Sequence, residues 1–208
     1  MLLFQENVLS ENSTGRIDYP ISDGEMILFN PFFSEAAAAS LFTRIENETV
    51  WRQDSINLYG KKHLVPRLTA WFGENDKPYT YSGIQMHPQP FTETLLYIKK
   101  EVENACSAVF TSVLLNYYRN GQDSMGWHRD NEKELGVNPV IASVSFGQIR
   151  PFHIRHKFRK DLQKLVIPLT SGSLLLMKGA TQHFWEHQVP KSAKPLKPRI
   201  NLTFRKIF

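Results

Sequence analysis

The sequence predicts an α+β domain that is mainly β, and three features carry that expectation. From residue 112 onward, seven or so short β-rich runs recur in under 100 residues, with turn signals such as Asn120-Gly121 and Gly147 between them. That rhythm fits a β-sandwich, a jelly roll or a barrel. Before residue 112, two segments follow helical periodicity instead. Finally, the 208 residues hold no linker long enough to separate two domains. A single domain over 1–208 is expected, with residues 1–111 as an N-terminal extension and residues 112–208 as the β core.

Taken in order, Met26–Phe29 reads as a short strand. Ser34 can cap a helix whose first turn holds Glu35, where a carboxylate suits the dipole. Ala37, Leu41 and Ile45 then fall on one helical face. Trp51 to Phe72 holds β-rich runs around GKKH at 60–63, a hairpin or loop. A second helix follows Thr92, with Leu95, Ile98, Val102 and Ala105 as its apolar face. The β-rich runs are SVLLNYY, VIASVSF, PFHIRH, KLVIPL, GSLLLM, FWEHQV and RINLTFRKI.

Hydrophobic residues at 41% and charged residues at 22% exclude disorder, collagen and coiled coil. Cys106 is the single cysteine, so no internal disulfide forms and a reducing compartment is expected: cytoplasm in a bacterium, nucleus in a eukaryote. No apolar run is long enough to span a membrane, and the first residues do not read as a secretory signal. The net charge of +5 is unevenly spread. Residues 1–50 carry eight acids and two bases, whereas residues 51–208 carry 23 bases and 12 acids. The stretch RHKFRK at 155–160 and the acid-free stretch from Lys191 to Lys206 point to a polyanionic partner.

His128 and Asp130 in GWHRDN are spaced i, i+2, so an extended chain presents both to one side. With the distant His187 they can form the two-histidine, one-carboxylate set that suits non-haem Fe(II) with open positions. His153, His156 and His183 compete for the third place, and spacing alone does not choose among them. In the last run, Arg199, Asn201, Thr203 and Arg205 alternate with Ile200, Leu202 and Phe204. Two arginines facing a β core are costly unless they meet anions, and together they could hold a dicarboxylate. The alternative is a strand whose polar side faces solvent. Asn116 and Tyr118 share a face and could bond the same small anion. A zinc hydrolase would leave two inward arginines unexplained.

NYYRNGQDSMGWHRDNE, IASVSFG, FWEHQVP and PRINLTFRKI together resemble the AlkB family of Fe(II)/2-oxoglutarate dioxygenases, most of all the animal homologues that repair duplex DNA. LYGKKHLVPR at 58–67, YTYSG at 79–83, RHK at 155–157 and SGSLLLM at 171–177 resemble that subgroup too. The resemblance implies a double-stranded β-helix, or jelly roll, with N-terminal helices and a nucleotide-recognition lid. It implies His128, Asp130 and His187 as iron ligands, and Asn116, Tyr118, Arg199, Asn201, Thr203 and Arg205 around the 2-oxoglutarate. Arg205 would grip the distal carboxylate and Arg199 would lie near the chelating end or the iron-bound carboxylate. His183 becomes a structural histidine and His156 a phosphate contact.

The activity implied is oxidative demethylation of bases such as 1-methyladenine and 3-methylcytosine in DNA, using Fe(II), 2-oxoglutarate and O2 and releasing formaldehyde. Tyr81 would stack on the flipped base, opposite His128 and beside Ser82. Tyr59 would fill the vacated stack, flanked by Gly60 and Lys61. Arg67, Tyr79, Asn131 and Glu132 complete the expected substrate contacts, although Asn131 stands where the relatives typically carry an acid. Lys191, Lys194, Lys197 and RHKFRK would follow phosphates without reading sequence. The expected partner is alkylated DNA, single- or double-stranded, bound by a monomer. RNA demethylation, a nucleic-acid-binding module without catalysis, and an oxygenase acting on protein or a small molecule are the alternatives.

Overall fold

Two side-chain caps start the long helices. The computed structural model describes residues 15–58, 61–74, 79–81, 84–86 and 88–208. Ser34 Oγ accepts the Ala37 N–H at 3.3 Å and opens α1 (Glu35–Glu48). Thr92 Oγ1 accepts the Leu95 N–H at 3.2 Å and opens α2 (Glu93–Cys106). Each satisfies one donor that the first turn leaves orphaned. Ala38, Leu41 and Ile45 of α1, and Leu95, Ile98 and Val102 of α2, are buried. Ala105 departs from expectation: it is exposed, and the neighbouring Cys106 is the half-buried residue. Burial pushes the Cys106 thiol up to about 12, so it is not a reactive thiolate.

The strands, in chain order, are β1 (Arg16–Tyr19), β2 (Glu25–Phe29), β3 (Ser55–Leu58), β4 (Lys61–Leu64), β5 (Leu68–Gly73), β6 (Tyr79–Tyr81), β7 (Ile84–Met86), β8 (Ser112–Tyr118), β9 (Met125–His128), β10 (Ile141–Gly147), β11 (Arg150–His156), β12 (Leu165–Leu169), β13 (Ser173–Lys178), β14 (Trp185–Val189) and β15 (Arg199–Arg205). A third, four-residue helix, α3 (Thr181–Phe184), precedes β14. All seven predicted β-rich runs are strands. They build a seven-stranded antiparallel sheet, β1-β2-β13-β10-β15-β8-β5, facing a four-stranded sheet, β12-β11-β14-β9. This is the expected mainly β, jelly-roll-like core. β1, β2 and β5 enter the large sheet from before residue 112. The pairs β3-β4 and β6-β7 form separate hairpins.

Most buried apolar side chains among the described residues fall into two cores, with Trp71 and Leu114 forming a small third cluster. Ile200, Leu202 and Phe204 point from β15 toward α1 and α2, among Leu41, Ile45, Ile98 and Val102. Met26, Ile141, Phe152, Ile154, Leu175 and Trp185 fill the space between the sheets. β15 lies between β10 and β8, so all seven of its residues are buried. Its polar side therefore faces the second sheet, not solvent. Gly147 ends β10 opposite Arg199 with φ 84°. A Cβ there would come within 2.6 Å of the Pro198 carbonyl oxygen, so glycine is what lets the chain enter β15 at this point. Among the described residues no helix is long and apolar enough to cross a membrane.

Candidate active site

The strand register brings His128 and His187 together. β9 pairs with β14 so that these two residues stand directly opposite, which places both imidazoles on one face. Their ring centroids are 4.2 Å apart, and His187 stacks on Phe152 at 5.1 Å. Asp130 follows β9 and turns into the same space. One ligand atom from each of the three lies within 4.8 Å of the others. No second such group occurs among the described residues, so of the competing histidines it is His187, and not His153, His156 or His183, that stands with His128 and Asp130. His153 lies near Gln188, at 3.4 Å, and the His183 carbonyl accepts from Arg129 at 2.8 Å.

The protonation states suit a cation. Burial holds the His128 imidazole below its ordinary value, opposed only in part by Asp130 and by the hydrogen bond to the Gly126 backbone. His128 Nδ1 lies 2.8 Å from the Gly126 carbonyl oxygen. A carbonyl can only accept, so Nδ1 carries the proton and Nε2 is left as the donor to a metal. Burial, with His128 and Arg205 adding to it against Asp130, pushes His187 down to about 3. Burial also works against the Asp130 carboxylate, but Arg205 and the two histidines outweigh it and keep this carboxyl below the usual range. Arg205 reaches Asp130 Oδ2 through Nη2 at 3.0 Å and Nε at 3.3 Å. Asp130 Oδ1 is buried and has no hydrogen-bond partner among the described residues. An anionic oxygen left that way, facing two neutral imidazoles, fits a divalent metal.

These groups favour the neutral imidazole and the charged carboxylate, and acid opposes both. An unfolded histidine titrates near 6.5, whereas His187 is at about 3 in the fold. Between those values the unfolded chain binds more protons, so acid favours unfolding. Asp130 acts in the same direction, its contribution being lost as pH falls through its depressed value. Melting of the metal-free protein is therefore expected to move to lower temperature as pH falls from about 6.5 toward 3, with a shallower dependence in His187→Gln.

Next to this group lies a cavity of about 460 Å³, counting its open mouth. Asn116, Tyr118, Arg199, Asn201, Thr203 and Arg205 all line it, together with the three ligands. Arg199 is 1% exposed. Its Nη2 donates to Ser145 Oγ at 2.9 Å, its Cζ lies 5.1 Å from the Tyr118 ring, and Nε and Nη1 have no hydrogen-bond partner among the described residues. A buried guanidinium in that state fits the carboxylate of a small diacid. Asn116 Oδ1 accepts from Arg67 Nε at 2.6 Å. Asn201 turns its amide into the sheet, onto Ser143 Oγ at 2.8 Å and the Val144 carbonyl at 2.9 Å, and its Oδ1 accepts from Thr203 at 3.2 Å.

The two arginines stand the other way round from the order the resemblance implies. Arg205 is at the metal carboxylate, and Arg199 is at the far end of the cavity. They are six residues apart on one strand, about 20 Å at roughly 3.3 Å per residue, so they serve different ends of the site. Alternation alone could not say which end meets Asp130. His156 is a second correction. It is 3% exposed, and its Nδ1 accepts the N–H groups of Phe158 and Arg159 at 3.2 and 2.9 Å. Its ring stacks on Phe184 and its Nε2 lies 3.3 Å from Asp23, so the side chain is spent on contacts inside the fold and not presented at the surface. Around it, Arg155 pairs with Glu186 at 2.9 Å and lies 4.1 Å over Trp127, and Arg159 pairs with Asp161 at 2.6 Å. Lys191, Lys194 and Lys197 are exposed.

Of the expected substrate contacts, Arg67 is buried against Asn116, Asn131 is exposed and Glu132 is half-buried in the loop after Asp130. Lys61, Tyr79 and Tyr81 are backbone positions in β4 and β6. Tyr59, Gly60 and Ser82 lie outside the described residues. Several residues of the site went unread. Ser143 and Ser145 support Asn201 and Arg199, and their i, i+2 spacing inside VIASVSF was the available signal. Arg150 is buried 5.6 Å from the Tyr118 ring and donates to the carbonyls of Asp123 and Pro190 at 2.9 and 2.6 Å, for which nothing in the sequence is a signal.

Residues 25–205 match the 2OG-Fe(II) oxygenase superfamily. The chain is 40% identical over 197 residues to alpha-ketoglutarate-dependent dioxygenase alkB homolog 3 of Bos taurus, covering 91% of this chain and 68% of that protein. It is 39% identical over 184 residues to DNA oxidative demethylase ALKBH2 of Bos taurus, covering 84% of this chain and 66% of that one. The solved structure of OsALKBH1 superposes with a TM-score of 0.64 over 91% of this chain and 100% of the other. At 16% identity that likeness concerns the fold.

Proposed function

Because the chain belongs to the 2OG-Fe(II) oxygenase superfamily, and within it to the AlkB-type dioxygenases that use Fe(II), 2-oxoglutarate and O2, we propose that it repairs N-alkylated bases in DNA, 1-methyladenine and 3-methylcytosine among them. The observation that carries this reading is one cavity in which His128, Asp130 and His187 converge beside the buried, under-bonded Arg199. The relatives named a dioxygenase and a DNA oxidative demethylase support it. When bound, iron and the keto acid supply the oxidation of an N-methyl carbon that ends in formaldehyde, succinate and CO2.

The chain's own residues have separate tasks. His128 Nε2, the His187 imidazole and Asp130 Oδ1 would hold the metal, a donor set that suits Fe(II). Arg205 neutralises Asp130 Oδ2 and so keeps that carboxylate from turning away. Arg199, with Tyr118 and Asn116 nearby, receives the far carboxylate of 2-oxoglutarate. Phe152 and Val189 wall the cavity against water. A damaged base leaves the duplex to enter such a site, and lesions with broken pairing cost least to extrude. Tyr81 and His128 would sandwich it, Tyr59 would fill the gap, and Arg67, Tyr79, Ser82, Asn131 and Glu132 would surround it, with Gly60 and Lys61 at the hairpin. Lys191, Lys194 and Lys197 would lie along the phosphates.

Mass spectrometry of an oligonucleotide carrying one 1-methyladenine tests the reading. With Fe(II), 2-oxoglutarate and air, the expected product is lighter by one methylene, and His128→Ala yields none. Single-stranded DNA, duplex DNA and RNA run side by side assign the substrate form. Succinate without a mass change in any of them would move the reaction to another substrate. Neither product would leave a module that binds nucleic acid without catalysis.

A further inference from the structure

Asp130 lies beyond the end of β9, outside any strand, and is 1% exposed. Its main-chain N–H is buried with it and needs an acceptor. The acceptor is a side chain: Gln182 Oε1, at 2.9 Å. Gln182 is itself 0% exposed and belongs to α3, five residues before His187. Only its amide oxygen can accept, so this bond fixes which way the amide points. The amide nitrogen is turned to the Met177 thioether at 3.6 Å, and Met177 lines the same cavity. The helix is pinned from behind. Thr181 Oγ1 donates to the Lys178 carbonyl at 2.6 Å and accepts the Glu25 N–H at 2.9 Å. A second tie runs between the same two segments, from Arg129 Nη1 to the His183 carbonyl at 2.8 Å.

We propose that Gln182 is a positioning residue of the metal site, which sets the Asp130 carboxylate in register with His187 by gripping its main-chain N–H. The inference rests on the metal reading of His128, Asp130 and His187. Arg205 controls the charge and rotation of the carboxylate, and Gln182 controls where its backbone sits. The ligand that comes from a loop is thereby tied to the segment that carries the ligand from a strand.

Co(II) is the probe, titrated into metal-free protein with 2-oxoglutarate present and followed by its visible absorption. Gln182→Met keeps the length and loses the acceptor. It is expected to weaken Co(II) binding by roughly 10- to 100-fold and to change the shape of the Co(II) band, which a merely structural role would not. Gln182→Glu keeps an oxygen at the same reach and is expected to recover most of the affinity. Wild-type affinity and an unchanged band in Gln182→Met would overturn the inference. Should that variant not fold, Gln182→Asn, one methylene short of Asp130, is expected to show the same loss, and wild-type binding there would overturn it equally. Failure of the wild-type protein to take up Co(II) would instead overturn the metal site itself.

Discussion

Replacing Arg199 by methionine is expected to abolish useful 2-oxoglutarate binding while leaving the ligand-free protein as stable as before, or more so. Arg199 is fully buried, burial pulls its guanidinium below the ordinary value against the opposing effect of Tyr118, and two of its nitrogens have no hydrogen-bond partner among the described residues. A buried cation in that state carries its desolvation cost without an anion to offset it, so an apolar side chain of similar length is expected to cost the ligand-free fold little or nothing. On the proposed reading its compensation is the carboxylate of 2-oxoglutarate that it would receive. Truncating one partner of a buried charge pair costs about 2–5 kcal/mol of binding, or roughly 30- to 5,000-fold in affinity. Calorimetric titration of 2-oxoglutarate into Mn(II)-loaded protein measures the first effect, and melting without ligand measures the second. Wild-type affinity, or a variant that melts far below wild type in the absence of ligand, would contradict this role.

Asp130→Asn is expected to have the opposite effect on the fold. Asp130 and Arg205 form a buried ion pair, with side chains 1% and 2% exposed. Breaking such a pair from one side costs about 3–5 kcal/mol, because the remaining charge keeps its burial and loses its partner's field. The single variant should therefore melt well below wild type and lose metal binding together with activity. The double replacement Asp130→Leu with Arg205→Met removes both charges and should regain most of the stability but no activity. Thermal melts of the two variants beside wild type check this. Equal melting of Asp130→Asn and wild type would mean that the pair holds nothing together.

The strands that the sequence announces are those with turn signals at their ends and an alternation long enough to count. RINLTFR could be read in this way, and the structure adds that both of its faces are buried. Ser34 and Thr92 were legible for a local reason, because a cap acts within its own turn. β9 was not legible: four residues with Gly126 inside have little strand character of their own, and what orders them is the pairing with β14, 59 residues away at His128 and His187. α3 is a single turn, too short for any periodicity. β5 is apolar enough to be noticed, but its place beside β8 is a tertiary fact.

The site divides along the same line. Residue types and i, i+2 spacing offered His128, Asp130, Asn116, Tyr118, Arg199, Asn201, Thr203 and Arg205 as candidates, the resemblance joined them into one site, and all of them line the cavity. Their order along it was not, because the end of β15 that meets Asp130 depends on how two sheets face each other. His156 misled for a different reason: four of its five neighbours in RHKFRK are basic, and the stacking that buries its ring comes from Phe184. Gln182 carried no signal, since its partner is a backbone N–H that any residue at position 130 would offer.

The most direct test of the central claim is an anaerobic titration of 2-oxoglutarate into the Fe(II)-loaded protein, followed in the visible range. If the His128–Asp130–His187 group and Arg199 serve one cosubstrate, a charge-transfer band of the chelated keto acid appears, saturates at one equivalent and is missing in Arg199→Met at the same concentration. A protein that binds Fe(II) yet develops no such band with 2-oxoglutarate would contradict it.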